Sequence, residues 1–416
     1  MLFIYRIVIN LIILASPIII FFRLLKKKED PIRFKEKFCF FSKKKLKGKL
    51  IWFHGASVGE ILSVIPLIEK LEKNKNIKQI LITSNTLSSS KILFNLKLKK
   101  TIHQFFPIDT NFHSKKFLDY WKPHVAIFID SEIWPNMISN INKKSISLIL
   151  LNARITKKSF KRWKKFIFIA KTIFQKFDIC LCSNIESKKY LKFLGAKKIK
   201  YIGNLKFSQT EKNEYHLNNN LKKFLLSRRV WCAASTHGTE EALCALAHKK
   251  LKKKYKNLLT IIIPRHINRT DRIINEIKKL NLKFHVHGSE KKIHKDTDIY
   301  LVDSYGQTKS FFKLCKIVFL GGSIIKHGGQ NPLEAARYGC KILYGPNILN
   351  FYEIYKLLNK YKVSTRVNNL NQMIVNIDRI FKNKTVSFKI KSKIKNLGNI
   401  ILSSTLKEIN FLINKK

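Results

Sequence analysis

Glu60 stands just beyond an apolar run and a glycine loop. Leu50-Ile-Trp-Phe-His-Gly-Ala-Ser-Val-Gly leads into it, and an apolar-periodic segment from Ile61 to Leu71 follows. That order reads as strand, glycine loop, helix. A carboxylate at a helix start can do no more than favour the helix dipole. At the C-terminal end of a strand it points instead into the crevice where open α/β sheets bind ligands, and general base is the chemistry that position suits. A second cluster, Asp130-Ser-Glu-Ile-Trp-Pro-Asn136, sets two carboxylates two residues apart before a Trp-Pro turn, and Asn152-Ala-Arg154 ends the next apolar run. One such cluster is an ordinary charged loop. Acidic and basic groups on successive strand ends describe a ligand-binding edge.

The densest stretch is Phe319-Leu-Gly-Gly-Ser-Ile-Ile-Lys-His-Gly-Gly-Gln-Asn-Pro-Leu-Glu334. An apolar run from Lys316 to Leu320 reads as a buried strand that Gly321, Gly322 and Ser323 end abruptly. Asn331 suits an N-cap and Pro332 the first helical position, with helix continuing from Leu333 to Tyr338. Free N–H groups at such a start bind phosphate, and Glu334 in the first turn can accept from ribose hydroxyls. Two glycine pairs within nine residues, then Asn-Pro-x-Glu, read as a nucleotide-sugar site rather than a bare strand–turn–helix.

Around these groups the chain alternates strands and helices twice. After the run at Leu50, strands are expected at Gln79–Thr83, Val125–Ile129, Ser147–Leu151 and Asp178–Cys182, and Gly203-Asn-Leu-Lys-Phe207 closes this half. Residues 208–225 are polar and strand-free, a linker. The second half places strands at Val230–Ala234, Leu259–Ile263, Ile299–Val302, Ile317–Leu320 and Lys341–Tyr344, followed by Ser235-Thr-His237, Pro264-Arg-His266, Asp303-Ser-Tyr-Gly-Gln307, the glycine loop and Gly345-Pro-Asn347 respectively. Two serial βα halves imply two doubly wound α/β domains facing across a cleft.

The 416 residues suffice for two such domains and a short extension, and 45% hydrophobic residues support full cores. Lys and Arg number 82 against 26 Asp and Glu, a net charge of +56. Lysine is abundant even in unremarkable loops, so most of this charge reads as compositional drift, with an anionic partner using part of it. Aromatics are not interleaved with basic residues and no nucleic-acid motif is present. The seven cysteines show no CxxC pair and no zinc spacing, which suits core residues in a reducing compartment. Residues 1–22 are nearly all apolar apart from Arg6 and Asn10, and Arg23 and Lys26 to Lys28 follow. The stretch is long enough for a membrane span if Arg6 snorkels, or for a helix lying in the interface, and the basic C-terminal flank keeps the body cytoplasmic.

The ordered set of motifs resembles the 3-deoxy-D-manno-octulosonic acid (Kdo) transferases, which are GT-B glycosyltransferases of lipopolysaccharide synthesis. The motifs run from the N-terminal anchor through His54–Glu60, Asp130–Asn136, Asn152–Arg154, Gly203–Phe207, Ala234–His237, Pro264–His266 and Gly321–Glu334 to Gly345-Pro346. The resemblance implies a membrane anchor at 1–28, an acceptor-binding Rossmann-like domain at 29–207, the linker at 208–225 and a CMP-sugar domain at 226–416. It implies transfer of Kdo from CMP-Kdo to a lipid A precursor, inverting at the anomeric carbon, at the cytoplasmic side of the inner membrane and against its anionic lipid. No metal, cofactor or nucleic acid enters. Glu60 matches the general base, and Asp130 and Lys206 match positions that stabilise the transition state. Pro264, Arg265, Tyr305, Gly306, Gln307, Asn331, Pro332, Leu333 and Glu334 match the CMP-binding segments. Four positions depart from the family pattern: Asp130 and Gln307 stand where Glu is usual, Gln330 where His is, and Gly238 where Glu is. A GT-B enzyme using a uridine nucleotide would share the fold and glycine loops. A nucleic-acid-binding protein would explain the charge but neither Glu60 nor the Asn-Pro-x-Glu helix, and no GxGxxG follows a strand as a dehydrogenase would need.

Overall fold

The apolar runs of the first half become one parallel sheet. In chain order its strands are β1 (Lys49–His54), β2 (Ile77–Ser84), β3 (Thr101–Phe105), β4 (Val125–Ile129), β5 (Ser147–Ala153), β6 (Ile179–Cys182) and β7 (Ile199–Tyr201), and in space they run β3-β2-β1-β4-β5-β6-β7. β1, β4 and β5 lie in the middle with nearly every residue buried. Helices cover both faces of such a sheet, so its inner strands read as unbroken apolar runs rather than alternating ones.

A second parallel sheet repeats the plan with β8 (Arg229–Thr236), β9 (Leu258–Pro264), β10 (Phe284–Val286), β11 (Ile299–Leu301), β12 (Ile317–Leu320), β13 (Lys341–Tyr344) and β14 (Ser364–Arg366), ordered β10-β11-β9-β8-β12-β13-β14. In each sheet the chain winds outward one way, then returns beside its first strand and winds the other way. The reversal falls between β1 and β4 in one sheet and between β8 and β12 in the other. At such a switch point the loops leaving the two strands part, and a crevice opens at their C-terminal ends.

This computed structural model describes residues 2–209, 217–290, 292–382 and 386–414. They divide into two units, residues 1–210 with 397–416, and residues 211–396. Residues 210–216 of the expected linker lie outside the described residues, and its second half is a helix, Asn219–Leu226, with Leu221 and Leu225 buried. The boundary at 226 would assign every later residue to the second domain. Instead the long last helix, Val386–Asn414, gives its residues from 397 onward to the first unit. There Lys49 Nζ donates to the Ile413 carbonyl at 2.9 Å and Lys200 pairs with Glu408 at 2.7 Å.

The apolar N-terminal stretch is one helix, Leu2–Leu25, with Pro17 inside it. Pro17 has no N–H to give the carbonyl one turn back, and the Ser16 hydroxyl donates to the Ile13 carbonyl instead, at 2.6 Å. Arg6 does not snorkel. Its Nε donates to Asn136 Oδ1 at 3.0 Å and its Nη2 reaches Asn111 Oδ1 at 3.4 Å.

Candidate active site

In the first unit, Glu60 opens the helix Val58–Leu71 that follows β1. Ser57 is its N-cap, and the two residues close a capping box: the Glu60 N–H reaches Ser57 Oγ at 3.4 Å, and Glu60 Oε2 accepts from the N–H groups of Ala56 (2.7 Å) and Ser57 (3.4 Å). A cap alone would account for this much. It does not account for the other oxygen, Oε1, which no backbone N–H reaches among the described residues. Nor does it account for the electrostatics. Partial burial, with the nearby carboxylates of Glu132 and Asp130 adding to it, pushes the Glu60 carboxyl up to about 7 against the lowering effect of the Ala56 N–H and the Ser57 side chain. A carboxyl raised toward neutrality, with one oxygen clear of the backbone N–H groups, is fitted to take a proton.

Asp130 leaves β4 in the left-handed region (φ 56°), and Asn152 at the end of β5 does the same (φ 54°). Asp and Asn tolerate that conformation better than other side chains do. The Asn152 amide donates to Asp130 Oδ1 and accepts from the Leu205 N–H at 3.0 Å. Asn204 then accepts from the Lys206 N–H at 2.9 Å, fixing the short helical turn Leu205–Ser208 that carries Lys206. Burial raises the Asp130 carboxyl, and the charges of Lys206 and Arg154 with the Asn152 bond pull it back. Three residues that matched catalytic positions, Glu60, Asp130 and Lys206, thus come together at the switch point of one sheet.

Glu132 completes the group. Its Oε2 accepts from Trp134 Nε1 at 2.9 Å and lies 3.3 Å from Nε2 of buried His54, an ion-pair distance rather than a formed hydrogen bond. The His54 ring stacks on Phe106 with centroids 3.8 Å apart, and its Nδ1 is 3.0 Å from Thr83 Oγ1. Burial holds the imidazole below its ordinary value, with the Glu132 carboxylate and the Thr83 backbone pulling it back.

In the second unit the glycine loop after β12 is organised by a residue the motif reading passed over. Glu240, fully buried, accepts from four backbone N–H groups: His237 (3.0 Å) and Gly322 (2.7 Å) at Oε2, Ser323 (3.1 Å) and Ile324 (2.9 Å) at Oε1. The N–H groups of Gly322 to Ile324 are therefore spent inside the protein and hold the loop rather than a ligand. Gly321 is required by space, because a Cβ there would fall 2.5 Å from the Thr236 Cα. Ser323 Oγ accepts from the Gly345 N–H at 2.8 Å and ties in the loop after β13. The sequence signal for Glu240 was present, an acid three residues after Ser-Thr-His, but three of its four partners lie 82 to 84 residues away.

Arg265 follows Pro264 at the end of β9, its N–H bonded to the Thr236 carbonyl at 2.9 Å and its side chain exposed. Arg269 is committed to a bidentate pair with Glu241 at 3.0 and 3.1 Å. Tyr305, 66% exposed, and Gly306 (φ 84°) precede Gln307 in the loop after β11. Asn331 is not the N-cap and Pro332 is not the first helical residue: the helix is the short Leu333–Arg337, Pro332 stands at its N-cap with no side-chain bond to give, and Asn331 Oδ1, one residue earlier, accepts from the Leu333 N–H at 3.1 Å. Pro332 and Leu333 are buried, so these two can support a ligand site but not touch a ligand with their side chains. His237 packs between His266 and His327, with ring centroids 5.5 and 4.2 Å away, and burial with those neighbours lowers it to about 4.

Comparison with known proteins adds to this geometry. Residues 32–209 match the family model described as 3-Deoxy-D-manno-octulosonic-acid transferase (kdotransferase). The chain is 34% identical over 359 residues to a 3-deoxy-D-manno-octulosonic acid transferase of Rickettsia bellii, covering 86% of this chain and 85% of that one. It is 29% identical over 322 residues to the enzyme so named in Haemophilus influenzae, covering 76% and 75%. Among solved structures, a putative UDP-N-acetylglucosamine 2-epimerase from Listeria monocytogenes superposes with a TM-score of 0.59 at 13% identity, covering 87% of this chain and 97% of that one. That likeness shows a shared GT-B-like fold.

Proposed function

The chain belongs to the 3-deoxy-D-manno-octulosonic acid transferase family, and from that premise we propose that it transfers Kdo from CMP-Kdo to the glucosamine disaccharide of a lipid A precursor, inverting at the anomeric carbon. It is a Kdo transferase, hence a glycosyltransferase of lipopolysaccharide synthesis. The observation that supports the chemistry best is Glu60: a carboxyl raised to about 7, one oxygen fixed by the Ala56 N–H and the other reached by no backbone N–H among the described residues.

In this reading an acceptor hydroxyl donates to Glu60 Oε1 and attacks the anomeric carbon of Kdo. The new C–O bond forms as the bond to the CMP phosphate breaks, Glu60 keeps the proton, and CMP departs as the anion. General-base assistance of this kind contributes about 10²–10⁴ in rate. Lys206, set by Asn204 and through Asn152 by Asp130, supplies positive charge toward the sugar carboxylate or the departing phosphate. In the second unit exposed Arg265 answers the single CMP phosphate, while Glu334 and the Tyr305–Gln307 loop hold the nucleoside. The body works at the cytoplasmic face of the inner membrane, where the phosphorylated acceptor and anionic lipid give part of the basic surface a use.

Incubation with CMP-Kdo and a lipid A precursor, read by mass, tests the reaction and counts the sugars added. Glu60→Gln should lose about 10²–10⁴ in kcat with CMP binding retained. Turnover with a uridine-linked sugar and none with CMP-Kdo would overturn the donor, and near-normal kcat in Glu60→Gln would remove Glu60 from the mechanism.

A further inference from the structure

The N-terminal helix is pinned to the first unit at both ends. Near its start, Tyr5 Oη donates to Asp109 Oδ2 at 2.8 Å and Arg6 Nε donates to Asn136 at 3.0 Å. Asp109 and Asn136 are themselves locked to each other: Asp109 accepts from the N–H groups of Asn136 and Met137 at 3.0 and 2.8 Å, and Asn136 Nδ2 donates to the Asp109 carbonyl at 2.6 Å. Near its end, Arg23 Nε and Lys37 Nζ both donate to Oε1 of buried Glu29 at 2.6 Å. Lys37 lies in the turn Arg33–Phe38, which Glu36 fastens to β3 through the Phe105 N–H at 2.8 Å.

Between the two ends a single stripe faces the protein. Tyr5, Ile9, Ile13, Ser16, Ile20 and Leu24, spaced by three or four, are half-buried or buried, as are the bonded Arg6 and Arg23, while the other residues from Phe3 to Leu25 are exposed. Phe3, Ile4, Leu11, Leu14, Ile18 and Leu25 are each 60% exposed or more. A helix of 24 residues is about 36 Å long, enough to cross a hydrocarbon core of about 30 Å. Crossing would put Tyr5 and Arg23 on opposite sides of the bilayer, yet both ends bind one folded body. A broad apolar face along a helix whose other face is docked on protein suits a different seat.

We infer that helix Leu2–Leu25 does not span the membrane but lies in its interface, docked lengthwise on the first unit with its exposed apolar face in the lipid of an anionic phospholipid surface. A second element fits the same seat. Among the nine residues of helix Lys157–Lys165, six are Lys or Arg, all exposed, and none is acidic. Phe160 and Trp163 hold it inward, Phe160 stacking on Tyr190 at 4.1 Å, which turns the cations out. Phe166 and Phe168 at its C-terminal corner are 58% and 78% exposed. Crossover handedness places the helices after β3, β4 and β5 on one face of the sheet, and the N-terminal helix bonds to the first two of these through Asn111 and Asn136. Cations beside exposed aromatics on that face match an anionic lipid surface and no neutral partner.

The inference rests on the membrane association proposed above, and its test separates the two. All seven native cysteines are buried, so a cysteine inserted after Met1 in the full chain can be labelled selectively. In inverted inner-membrane vesicles, cytoplasmic face outward, a membrane-impermeant maleimide should label it equally before and after detergent lysis. Labelling only after lysis would mean the helix spans, and would overturn the inference while leaving membrane attachment intact. A protein that does not sediment with the vesicles, or that runs as a dimer with this face covered, would remove the membrane reading and the inference with it. As a second arm, reversing Lys161, Arg162, Lys164 and Lys165 to Glu should weaken binding to vesicles containing anionic phospholipid by about tenfold or more and leave binding to neutral vesicles unchanged. An equal loss on both would deny the cationic helix its part.

Discussion

Asp130 and Asn152 end neighbouring strands in the same left-handed conformation, and the Asn152 amide donates to the Asp130 carboxylate. From the sequence alone Asp130 reads as a shortened Glu whose restoration would match or exceed the original rate. The geometry argues for the opposite. A β-position carboxylate fits both the positive φ and the distance to Asn152, and a side chain longer by one methylene would push against an amide that also holds the Leu205 N–H. Asp130→Glu should therefore lower kcat, since catalytic geometry responds to displacements of about 1 Å. Asn152→Ala should lower it through the Lys206 turn with the carboxylate still present. A rate for Asp130→Glu at or above the original would sink this account.

The pH profile offers an independent check on Glu60. Its ionised form is the base, so kcat should fall as pH drops through about 7. Burial is the first cause of that position and the charges of Glu132 and Asp130 the next. Glu132→Gln removes one negative charge, which eases ionisation of Glu60 and should move the acidic limb to lower pH. The move should be partial because burial remains. An unmoved limb, or one moved upward, would mean the profile reports another group.

How much of this was legible beforehand depended on which forces write themselves into short stretches of sequence. Inner strands did, because burial on both faces demands apolar runs. The strands that carry no such run, β3, β7, β10 and β14, are the two edges of each sheet, and they are short and partly exposed. Glu60 and Asp130 could be read because each follows a buried strand directly. Glu240 could not, since its meaning lies in N–H groups far along the chain. Nor could the docking of Arg6, which looks like a charge to be hidden until Asn111 and Asn136 appear beside it.

Glu240 should govern donor binding rather than the chemical step. Four N–H groups converge on one buried carboxylate, and a Gln in its place offers a single acceptor oxygen and turns an amide N–H₂ toward other donors. Losing hydrogen bonds to a buried charge costs about 1.5–3 kcal/mol each. The loop from Gly322 to Ile324 should loosen, raising KM for the donor well before kcat changes and lowering Tm. Circular dichroism would establish that Glu240→Gln is folded. A folded variant whose donor KM matches the parent protein would show that the carboxylate only fills space.

Two glycines in helices give the last comparison. Ala is favoured over Gly inside a helix by about 0.5–1 kcal/mol, so helix propensity alone predicts that either substitution stabilises. Gly59, near the start of Val58–Leu71, has nothing within 4 Å of where a Cβ would stand, and Gly59→Ala should realise that gain. Gly398, in the last helix, would place a Cβ 2.4 Å from the Phe207 carbonyl oxygen, in the turn that carries Lys206. Backbone cannot yield there as a flexible side chain could. Overpacking costs about 1–3 kcal/mol, more than propensity returns, so Gly398→Ala should lower Tm. Because the displaced segment holds Lys206, kcat should fall as well, although Gly398 is not itself near the reacting atoms by sequence. A raised Tm with unchanged kcat in Gly398→Ala would show that the C-terminal helix does not brace the catalytic lysine.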